Sequence, residues 1–487
     1  MTLLLGKEGP LVRILLSLAL FVSLVAGSGA RLVADTVERT STLADQRQVN
    51  VTIYNSNLAL VHDRRRLSLT KGENLIAWRD VSANLDGTSS LVESLTAPGA
   101  VSVLEQNFNF DLLRPSALLA KAVGHTVIVV HDHPNAGQPE RENAKVLSTN
   151  EGIILQYADR IETALYNSHI VYTSLPANLR DRPTLVLNLE STVDTPQDVD
   201  LSYLTSGLSW HAEYVGQVSA NEDKLDLSGL VTLTNTSGTT YGDAHLQLVA
   251  GNVNVPPPTP AMLQTIGRVM SAPAPPMQQE NYFEYHLYTL SRTTTIADNQ
   301  TKQVGFISAH NIPIRKTLEL RGGGNYYRTS TPDLGTKLPV ATYISFDDKD
   351  GELGVPLPGG LVRLYKNDSR GTSLFLGADR IGHTPKNETV RLHVGNSFDV
   401  TARKKQTNFH IVSESNPWIY DSSYEIVLGN AKDQDVDVLV VEPIPGEWQI
   451  LSESQQHDKS SSVTASWLVH VPAGGHTTLT YTARVRY

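Results

Sequence analysis

The sequence predicts a mainly β protein, built of tandem antiparallel β-sandwiches with a small inserted β-barrel. The strongest observation is that apolar and polar residues alternate in short segments from Val49 onward, as they do in half-buried strands. The 34 glycines and 25 prolines supply frequent turns between these segments. The length of 487 residues exceeds what one core of ordinary size accommodates, so two or three domains are expected.

Residues 1–30 have the features of a signal peptide. Lys7 and Arg13 precede the apolar run 14–26, ILLSLALFVSLVA, and Ser-Gly-Ala at 28–30 is a small-residue cleavage site. The run is shorter than the roughly 20 residues of a membrane span, and no later segment approaches that length. We therefore expect export to the periplasm or cell surface of a bacterium, with no transmembrane segment after cleavage. The alternative is an uncleaved N-terminal anchor.

Cysteine content and charge restrict the compartment and the partners. The chain has no cysteine, so it forms no disulfide, and an exported chain of this kind fits a bacterial envelope better than an animal extracellular space. The net charge is −10, and the basic runs at 64–66 and 403–405 are short. Since nucleic-acid binding requires a basic face, we expect no nucleic-acid partner.

The N-terminal β-sandwich region is predicted to comprise residues 48–115 and 183–335. The stretch 224–234, KLDLSGLVTLT, shows the alternation most clearly. The residues expected on its buried face are Leu225, Leu227, Val231 and Leu233. This pattern is typical of a strand with one face on a core and the other in solvent.

Residues 116–182 are predicted to form an insertion in that region, consisting of a helix and a small SH3-like β-barrel. The segment SALLAKAVG has Ser116 as its expected N-cap, good helix formers, and Gly124 as the residue that stops the helix. Four or five brief strand patterns follow around a polar loop. The larger sheet then resumes at 185–189, LVLNL.

A proline-rich loop interrupts the strands at residues 255–279. Its seven prolines exclude an inner strand. Apolar residues recur between the prolines at helical spacing, and they are Met262, Leu263, Ile266, Val269 and Met270. One interpretation is that these residues dock on the parent domain. The other is a partner-binding element, because methionine adapts to varied surfaces.

Residues 340–487 are predicted to form a C-terminal β-sandwich of immunoglobulin-like type, after a glycine-rich linker around 321–339. Apolar residues alternate with polar ones at 390–394, 436–440 and 479–485. Turn residues separate these short strands, as they do in sandwich folds.

His131 and His133 are the candidate metal ligands, since an H-x-H pair on a strand directs both imidazoles to one face. No third ligand is fixed by spacing, and Pro134 follows at once, which is typical of a hairpin tip. A second acidic run, FDDKDGE at 346–352, lacks the ligand spread and the closing glutamate of an EF-hand. A solvated turn is favoured there, and the sequence predicts no metal and no other cofactor.

The stretch 375–400, FLGADRIGHTPKNETVRLHVGNSFDV, contains the candidate catalytic residues Asp379, His383 and Asp399. Glu213, on the strand face opposite Trp210, is the fourth candidate. Two such carboxylates could act in glycoside hydrolysis. The chain has no G-x-S-x-G elbow, phosphate-binding loop or H-E-x-x-H motif.

The favoured interpretation of this stretch is structural. Asp379, Arg380 and His383 are expected in a tight connection before a strand whose inward residues are Val390, Leu392 and Val394, and Gly395-Asn396 is expected to turn the chain. Arg380, which lies in this tight turn segment, remains a candidate binding residue. The run would then be a hairpin with no catalytic role.

The passage from Tyr203, YLTSGLSWHAEYVGQVSANEDKLDLSGLVTLTNTSGTTYGDAHLQLVAGNVN, resembles exported bacterial proteins that carry a DUF4139 domain. The segments 51–69, 354–368 and 376–400 are also similar to that family, so that the resemblance extends from about 49 to 487. The resemblance implies no catalytic residues, because the family has no assigned function. A related group, the mucoidy inhibitors, resembles the chain only in this domain and points to envelope biology.

These observations favour an exported, non-catalytic structural or binding protein of the bacterial cell envelope. Its expected partner is an envelope protein or polysaccharide. The alternative is a carboxylate-dependent hydrolase that acts on envelope polysaccharide.

Overall fold

The structure, a computed structural model, describes residues 37–109, 112–131, 139–174, 176, 179–251, 253–254, 277–348, 353–415 and 417–487. The predicted signal peptide and the apolar residues of the proline-rich loop, Met262, Leu263, Ile266, Val269 and Met270, lie outside these residues, as does His133. The described part of the chain is mainly β, as predicted.

Six strands precede the inserted segment. They are β1 (Arg39–Ser41), β2 (Gln46–Tyr54), β3 (Leu58–Ser68), β4 (Gly72–Arg79), β5 (Leu91–Ser94) and β6 (Val101–Asn109). Single 3₁₀ turns at Leu43–Asp45 and Gly87–Ser89 connect some of them.

The inserted segment contains one described helix and an open five-stranded sheet. Its elements are α1 (Pro115–Lys121), β7 (Thr126–His131), β8 (Glu140–Ser148), β9 (Ile154–Gln156), β10 (Ile161–Glu162) and β11 (Ser168–Val171). The strand order is β10-β9-β8-β7-β11, antiparallel throughout.

The predicted barrel is wrong for the described residues, because β10 and β11 remain at opposite edges of this sheet. Closure requires a staggered ladder between the edge strands, which two-residue β10 is too short to provide. The helix begins two residues earlier than predicted: Arg114 is the N-cap in place of Ser116, and Pro115 occupies the first helical position, where its missing N–H costs nothing.

Nine strands follow the insertion. They are β12 (Thr184–Ser191), β13 (Pro196–Thr205), β14 (Leu208–Val218), β15 (Lys224–Asn235), β16 (Tyr241–Ala250), β17 (Gln278–Tyr282), β18 (Tyr285–Thr289), β19 (Thr294–Ile296) and β20 (Gln300–Pro313).

The remaining strands are β21 (Arg315–Arg321), β22 (Leu338–Asp347), β23 (Gly360–Asn367), β24 (Ser373–Ile381), β25 (Thr389–Ser413), β26 (Ile419–Asn430), β27 (Val436–Pro443), β28 (Glu447–Glu453), β29 (Asp458–Ser461), β30 (Thr464–Val471) and β31 (His476–Arg486). A 3₁₀ turn, Tyr326–Arg328, lies between β21 and β22.

Three sheets surround the first and largest core, and β22 and β25 of the C-terminal sheet add Ile344, Phe346, Val390 and Leu392 to it. The strand orders of the three sheets are β1-β4-β12-β6, β17-β18-β16-β2-β3-β13-β5 with β19 on β16, and β20-β15-β14-β23-β24. Residues 225, 227, 231 and 233 of β15 are buried in this core as predicted, and Trp210 is 3% exposed. Most neighbouring strands are antiparallel, but β16 pairs with β2 in parallel.

The strand pairing does not follow the predicted boundary between residues 335 and 340. β23 pairs in parallel with β14, so that Val362 and Leu364 enter the first core. Conversely, β21 pairs with β22 and β27 in the C-terminal sheet. Among the described strands, β21 has no partner in the region to which the sequence assigned it, and β23 pairs there only with β24. The pairing is set by buried faces, and the connecting turns carry no sign of it.

The C-terminal sheet has the order β28-β31-β26-β25-β22-β21-β27-β30-β29. It folds over so that its two halves face each other around a second core, as a sandwich does. The stacked rings of Tyr481 on β31 and Trp467 on β30, with centroids 4.7 Å apart, join the halves.

Candidate functional site

Asp379, one of the candidate catalytic residues, is engaged by the backbone. One carboxylate oxygen accepts the N–H of Arg380 at 2.8 Å, and the other accepts the N–H of His393 at 2.7 Å. Asp379 therefore ties β24 to β25 at a place where these strands form no ladder. Because His393 lies on β25, its hydrogen bond to the Asp379 carboxylate links the two strands.

The predicted tight connection at 379–383 is wrong in part, since β24 continues through Ile381 and holds both Asp379 and Arg380. The expected reversal at Gly395-Asn396 is also absent, because β25 runs from Thr389 to Ser413 and pairs with β22 on both sides of this point. Gly395 has a φ of 155°, which bends the strand without ending it. The side chain of Arg380 is exposed.

His383 and Asp399 do not join Asp379. The Nδ1 of His383 accepts the N–H of Gly359 at 3.2 Å, and burial together with the nearby His286 lowers the pKa of its imidazole. Asp399 is exposed on β25. Among the described residues, no hydrogen bond or ion pair links any two of the three, so they form no shared acid–base pair.

Glu213 lies on β14, with its carboxylate paired across the sheet. Arg363 on β23 donates to it from both terminal nitrogens at 3.3 Å, and Gln303 and Thr232 donate at 2.9 and 3.1 Å. These contacts link four strands, β14, β23, β20 and β15. The carboxylate is thus a cross-strand anchor.

His131 also has protein partners. Its Nδ1 lies 2.8 Å from the hydroxyl of Ser168, and its Nε2 lies 3.0 Å from the carboxylate of Glu142. Arg160 donates to the same carboxylate at 2.5 Å. Within the described ranges, no three histidine or acidic side chains form a cluster able to hold a metal ion.

Asp348 departs from the expected solvated turn, because its side chain is 0% exposed at the end of β22. Neither carboxyl oxygen has a hydrogen-bonding partner among the described residues. Burial raises the pKa of this carboxyl to about 6, against the attraction of Lys386. Burial raises the pKa of the nearby hydroxyls of Tyr214 and Tyr288, and Asp348 makes a smaller contribution in the same direction.

A groove on the eight-stranded sheet, which we call the sheet groove, was not predicted. It has a volume of about 400 Å³ and lies on the face opposite the first core. Strands β2, β3, β16, β17 and β18 contribute its lining: Asn50, Thr52, Tyr54, Leu60, His62, Gln247, Val249, Glu280, Tyr282 and Leu287.

Strand register assembles the sheet groove in cross-strand rows. Thr52 pairs with Leu60 on one side and with Gln247 on the other. Tyr54 pairs with Val249, which pairs with Leu287. Glu280 continues this second row from β17. Because residues i and i+2 of a strand share a face, each row lies directly beside the next.

Hydrogen bonds fix the orientation of several lining side chains. Thr52 donates to the side-chain carbonyl of Gln247 at 3.2 Å, and the amide of Gln247 donates to Thr289 at 3.4 Å. Gln48 donates to the side-chain carbonyl of Asn50 at 2.9 Å, which leaves the Asn50 amide able to donate.

Burial and neighbouring groups shift the pKa values of Tyr54 and His62 in the sheet groove. Burial raises the pKa of the Tyr54 hydroxyl, with smaller contributions from Tyr282 and Tyr285. The hydrogen bond that Nδ1 of His62 makes to the Asp200 carboxylate, 2.8 Å away, raises the pKa of His62. Tyr54 is thus a neutral donor and acceptor at pH 7.

A buried ionic cluster in the second core is a further feature that sequence reasoning missed. Lys404 and Glu442 are 2.6 Å apart, with side chains 2% and 0% exposed. Tyr326 donates to Glu442 at 2.5 Å, and Tyr327 donates to the same oxygen at 3.2 Å. Burial lowers the pKa of Lys404, against the effect of Glu442. Because both charged side chains are almost fully buried, the cluster contributes to the packing of the second core.

The fold and these sites define a multi-sheet β protein with a groove on one sheet, in which two of the candidate acids, Asp379 and Glu213, are engaged in contacts within the protein. Residues 199–487 match the family described as domain of unknown function (DUF4139). Since this match covers more than half of the chain, the protein belongs to the DUF4139 family. No curated protein matches the chain.

The part of the chain that the structure describes contains no helix with the length and hydrophobicity of a membrane span. The chain has no cysteine and hence no disulfide.

Proposed function

We propose that this chain is an exported, non-catalytic binding protein of the bacterial cell envelope, and that it holds its partner in the sheet groove. The observation that carries the proposal is the contrast between two sets of polar groups. The predicted catalytic acids Asp379 and Glu213 are engaged in intramolecular contacts. The lining of the groove instead presents amides, tyrosines and a carboxylate to solvent.

Support for export comes from the N-terminal sequence. The N-terminus has the three parts of a signal peptide in their usual order. These are two basic residues, an apolar run of signal-peptide length and small residues at 28–30. The absence of cysteine fits a bacterial envelope protein. Osmotic-shock fractionation followed by N-terminal sequencing tests this part. A mature chain that begins near residue 31 is expected, and a cytoplasmic chain that begins at Met1 would contradict it.

Binding is tested by co-sedimentation of the mature chain with isolated cell envelopes. We expect the wild type to sediment and the Gln247→Ala/Tyr282→Ala variant to remain largely in solution. Tyr166→Ala is the matched control, because Tyr166 is an exposed tyrosine of the inserted segment, far from the lining in sequence and sheet.

Equal sedimentation of all three proteins would contradict the proposed site. Release of reducing sugar ends from the envelopes by the wild type, with its loss in Asp379→Asn or Glu213→Gln, would favour the hydrolase in place of the binding protein.

A further inference from the structure

We infer that the sheet groove recognises an uncharged glycan segment. The inference rests on the proposed function, since it names the ligand of the same site. It is carried by the groups in the lining that have no protein partner, by the charge of the lining, and by the backbone pairing beneath it.

Hydrogen-bonding groups without partners converge on the groove. Among the described residues, the hydroxyls of Tyr54 and Tyr282 and the carboxylate of Glu280 make no hydrogen bond. The Asn50 amide keeps its donors, as described above. A ligand that satisfies both donors and acceptors at close spacing is required, and adjacent hydroxyl groups on a sugar ring do this.

The groove also has an apolar component. Val249 and Leu287 lie in the second cross-strand row and are 1% and 6% exposed, which makes them its floor. Tyr282 is 57% exposed at the hairpin between β17 and β18, and Phe283 beside it is 85% exposed. Rings with a polar end suit a ligand whose faces are apolar and whose edges are polar, as those of a pyranose are.

The charge of the lining excludes polyanions. None of the described lining residues is a lysine or arginine, His62 is paired with Asp200 at 2.8 Å, and Glu280 adds a negative charge. Arg64, the nearest arginine on β3, donates instead to Gln48 at 3.3 Å. Phosphate and carboxylate ligands are ordinarily recognised by arginine or lysine, so nucleic acids and polyuronates fit this site poorly.

The backbone argues against an extended peptide. Strands β18, β16, β2 and β3 are internal to the sheet, and their backbone groups are paired on both sides. A peptide that binds by strand addition needs a free edge, which the described strands of this sheet offer at β17 and β5. Added at β17, such a peptide would extend the sheet in its plane and would not fill the groove on its face. The polar groups of the groove belong to side chains, which is the arrangement that glycan hydroxyls require.

Isothermal titration calorimetry of the mature chain tests the inference. The probes are cellotriose and chitotriose as neutral oligosaccharides, oligogalacturonate as the anionic control and choline as the cationic control. We expect saturable binding of at least one neutral probe. Tyr282→Ala and Gln247→Ala should each weaken that binding by about tenfold, as loss of one aromatic contact or hydrogen bond would. Tyr166→Ala should leave it unchanged.

Glu280→Gln distinguishes the ligand classes. For an uncharged glycan the amide keeps one acceptor and the affinity falls only several-fold, whereas a cationic ligand would lose nearly all affinity. Absence of binding to both neutral probes, or tighter binding of oligogalacturonate or choline, overturns the glycan inference.

The two experiments together distinguish failure of the proposed function from failure of the glycan inference. If envelope sedimentation depends on Tyr282 and Gln247 while neither neutral probe binds, the groove is a binding site for another ligand class. If sedimentation is independent of both residues, the site itself is wrong. Unchanged melting temperatures of the variants establish that each result concerns binding and not folding.

Discussion

Asp348 is a buried carboxyl group without a hydrogen-bonding partner among the described residues. Its pKa of about 6 lies above the ordinary value of 3.8. A raised carboxyl pKa means that the folded state favours the protonated form. The stabilising effect of protonation is therefore complete below about pH 4 and is lost as the pH rises through 6.

Asp348→Asn should increase the free energy of unfolding at pH 8 by about 1–2 kcal/mol, because the amide removes a buried charge. At pH 3.5 the variant and the wild type should be nearly equal. Denaturant unfolding at both pH values measures the difference. Asp347→Asn is the matched control: Asp347 accepts from Arg315 at 3.0 Å at the surface, so its loss should produce no gain. A less stable Asp348→Asn variant at pH 8 would contradict the account.

Lys404 and Glu442 form the opposite kind of buried site, in which each charge has its partner. Lys404→Met should lower the free energy of unfolding by about 3–5 kcal/mol, because Glu442 would remain buried without a counter-charge. The double variant Lys404→Met/Glu442→Leu should recover part of this loss. Denaturant unfolding of the two variants is the measurement, and a double variant less stable than the single one would contradict the argument.

Sequence patterns predicted single residues well where burial alone determines their place. Trp210 and the apolar residues of β15 lie in the core as expected. The roles of Asp379 and Asp348 were not predictable, because they depend on residues that become neighbours only after folding. The N–H of His393 is contributed by another strand, and the burial of Asp348 depends on the packing of the first core.

The sheet groove, too, was not predictable from the sequence, because it depends on how strands pair after folding. The alternation of Asn50, Thr52 and Tyr54 with buried neighbours was visible in the sequence as one polar strand face. Its alignment with Gln247 and Glu280 requires the parallel pairing of β2 with β16, which joins residues about 200 positions apart. Parallel pairing leaves no mark in the connecting turns, and so the site could not be read from the chain.

The inserted segment is an element whose independence can be tested. Its two ends lie side by side, since Asn109 on β6 pairs with Thr184 on β12, and Leu113 donates to the carbonyl of Arg180 at 2.7 Å. Replacement of residues 114–178 by a short Gly/Ser linker should therefore leave the other sheets folded, with a melting temperature within a few degrees of the wild type.

Circular dichroism melts and calorimetry of this deletion variant are the measurements. A control linker inserted between Leu113 and Arg114, without deletion, separates the effect of the linker from that of the lost segment. Loss of cooperative melting in the deletion variant alone would show that the inserted segment supports the first core.

The two cores of the whole molecule exchange strands across the boundary that the sequence suggested. β23 belongs to the sheet of β14, whereas β22 and β25 belong to the C-terminal sheet. A fragment of residues 340–487 would leave Val362 and Leu364 without the core that buries them. We expect limited proteolysis of this fragment to cleave residues 353–381 first, and the full mature chain to resist cleavage there.

Uniform protease resistance of that fragment would contradict the strand exchange and would restore a boundary near residue 340. A fragment of residues 315–487 should be cleaved at the same residues, because it also lacks β14, the strand that pairs with β23. Mass spectrometry of the earliest cleavage products identifies the sites in both fragments and in the full chain.

The proposed binding role is tested most directly by photo-crosslinking in intact cells, with p-benzoylphenylalanine in place of Tyr282 in the sheet groove or of Tyr166 as the control. The account predicts covalent adducts of a common envelope component at position 282 and their absence at position 166. Equal adduct formation at both positions, or no adduct at position 282 in a chain that is exported and folded, would contradict it.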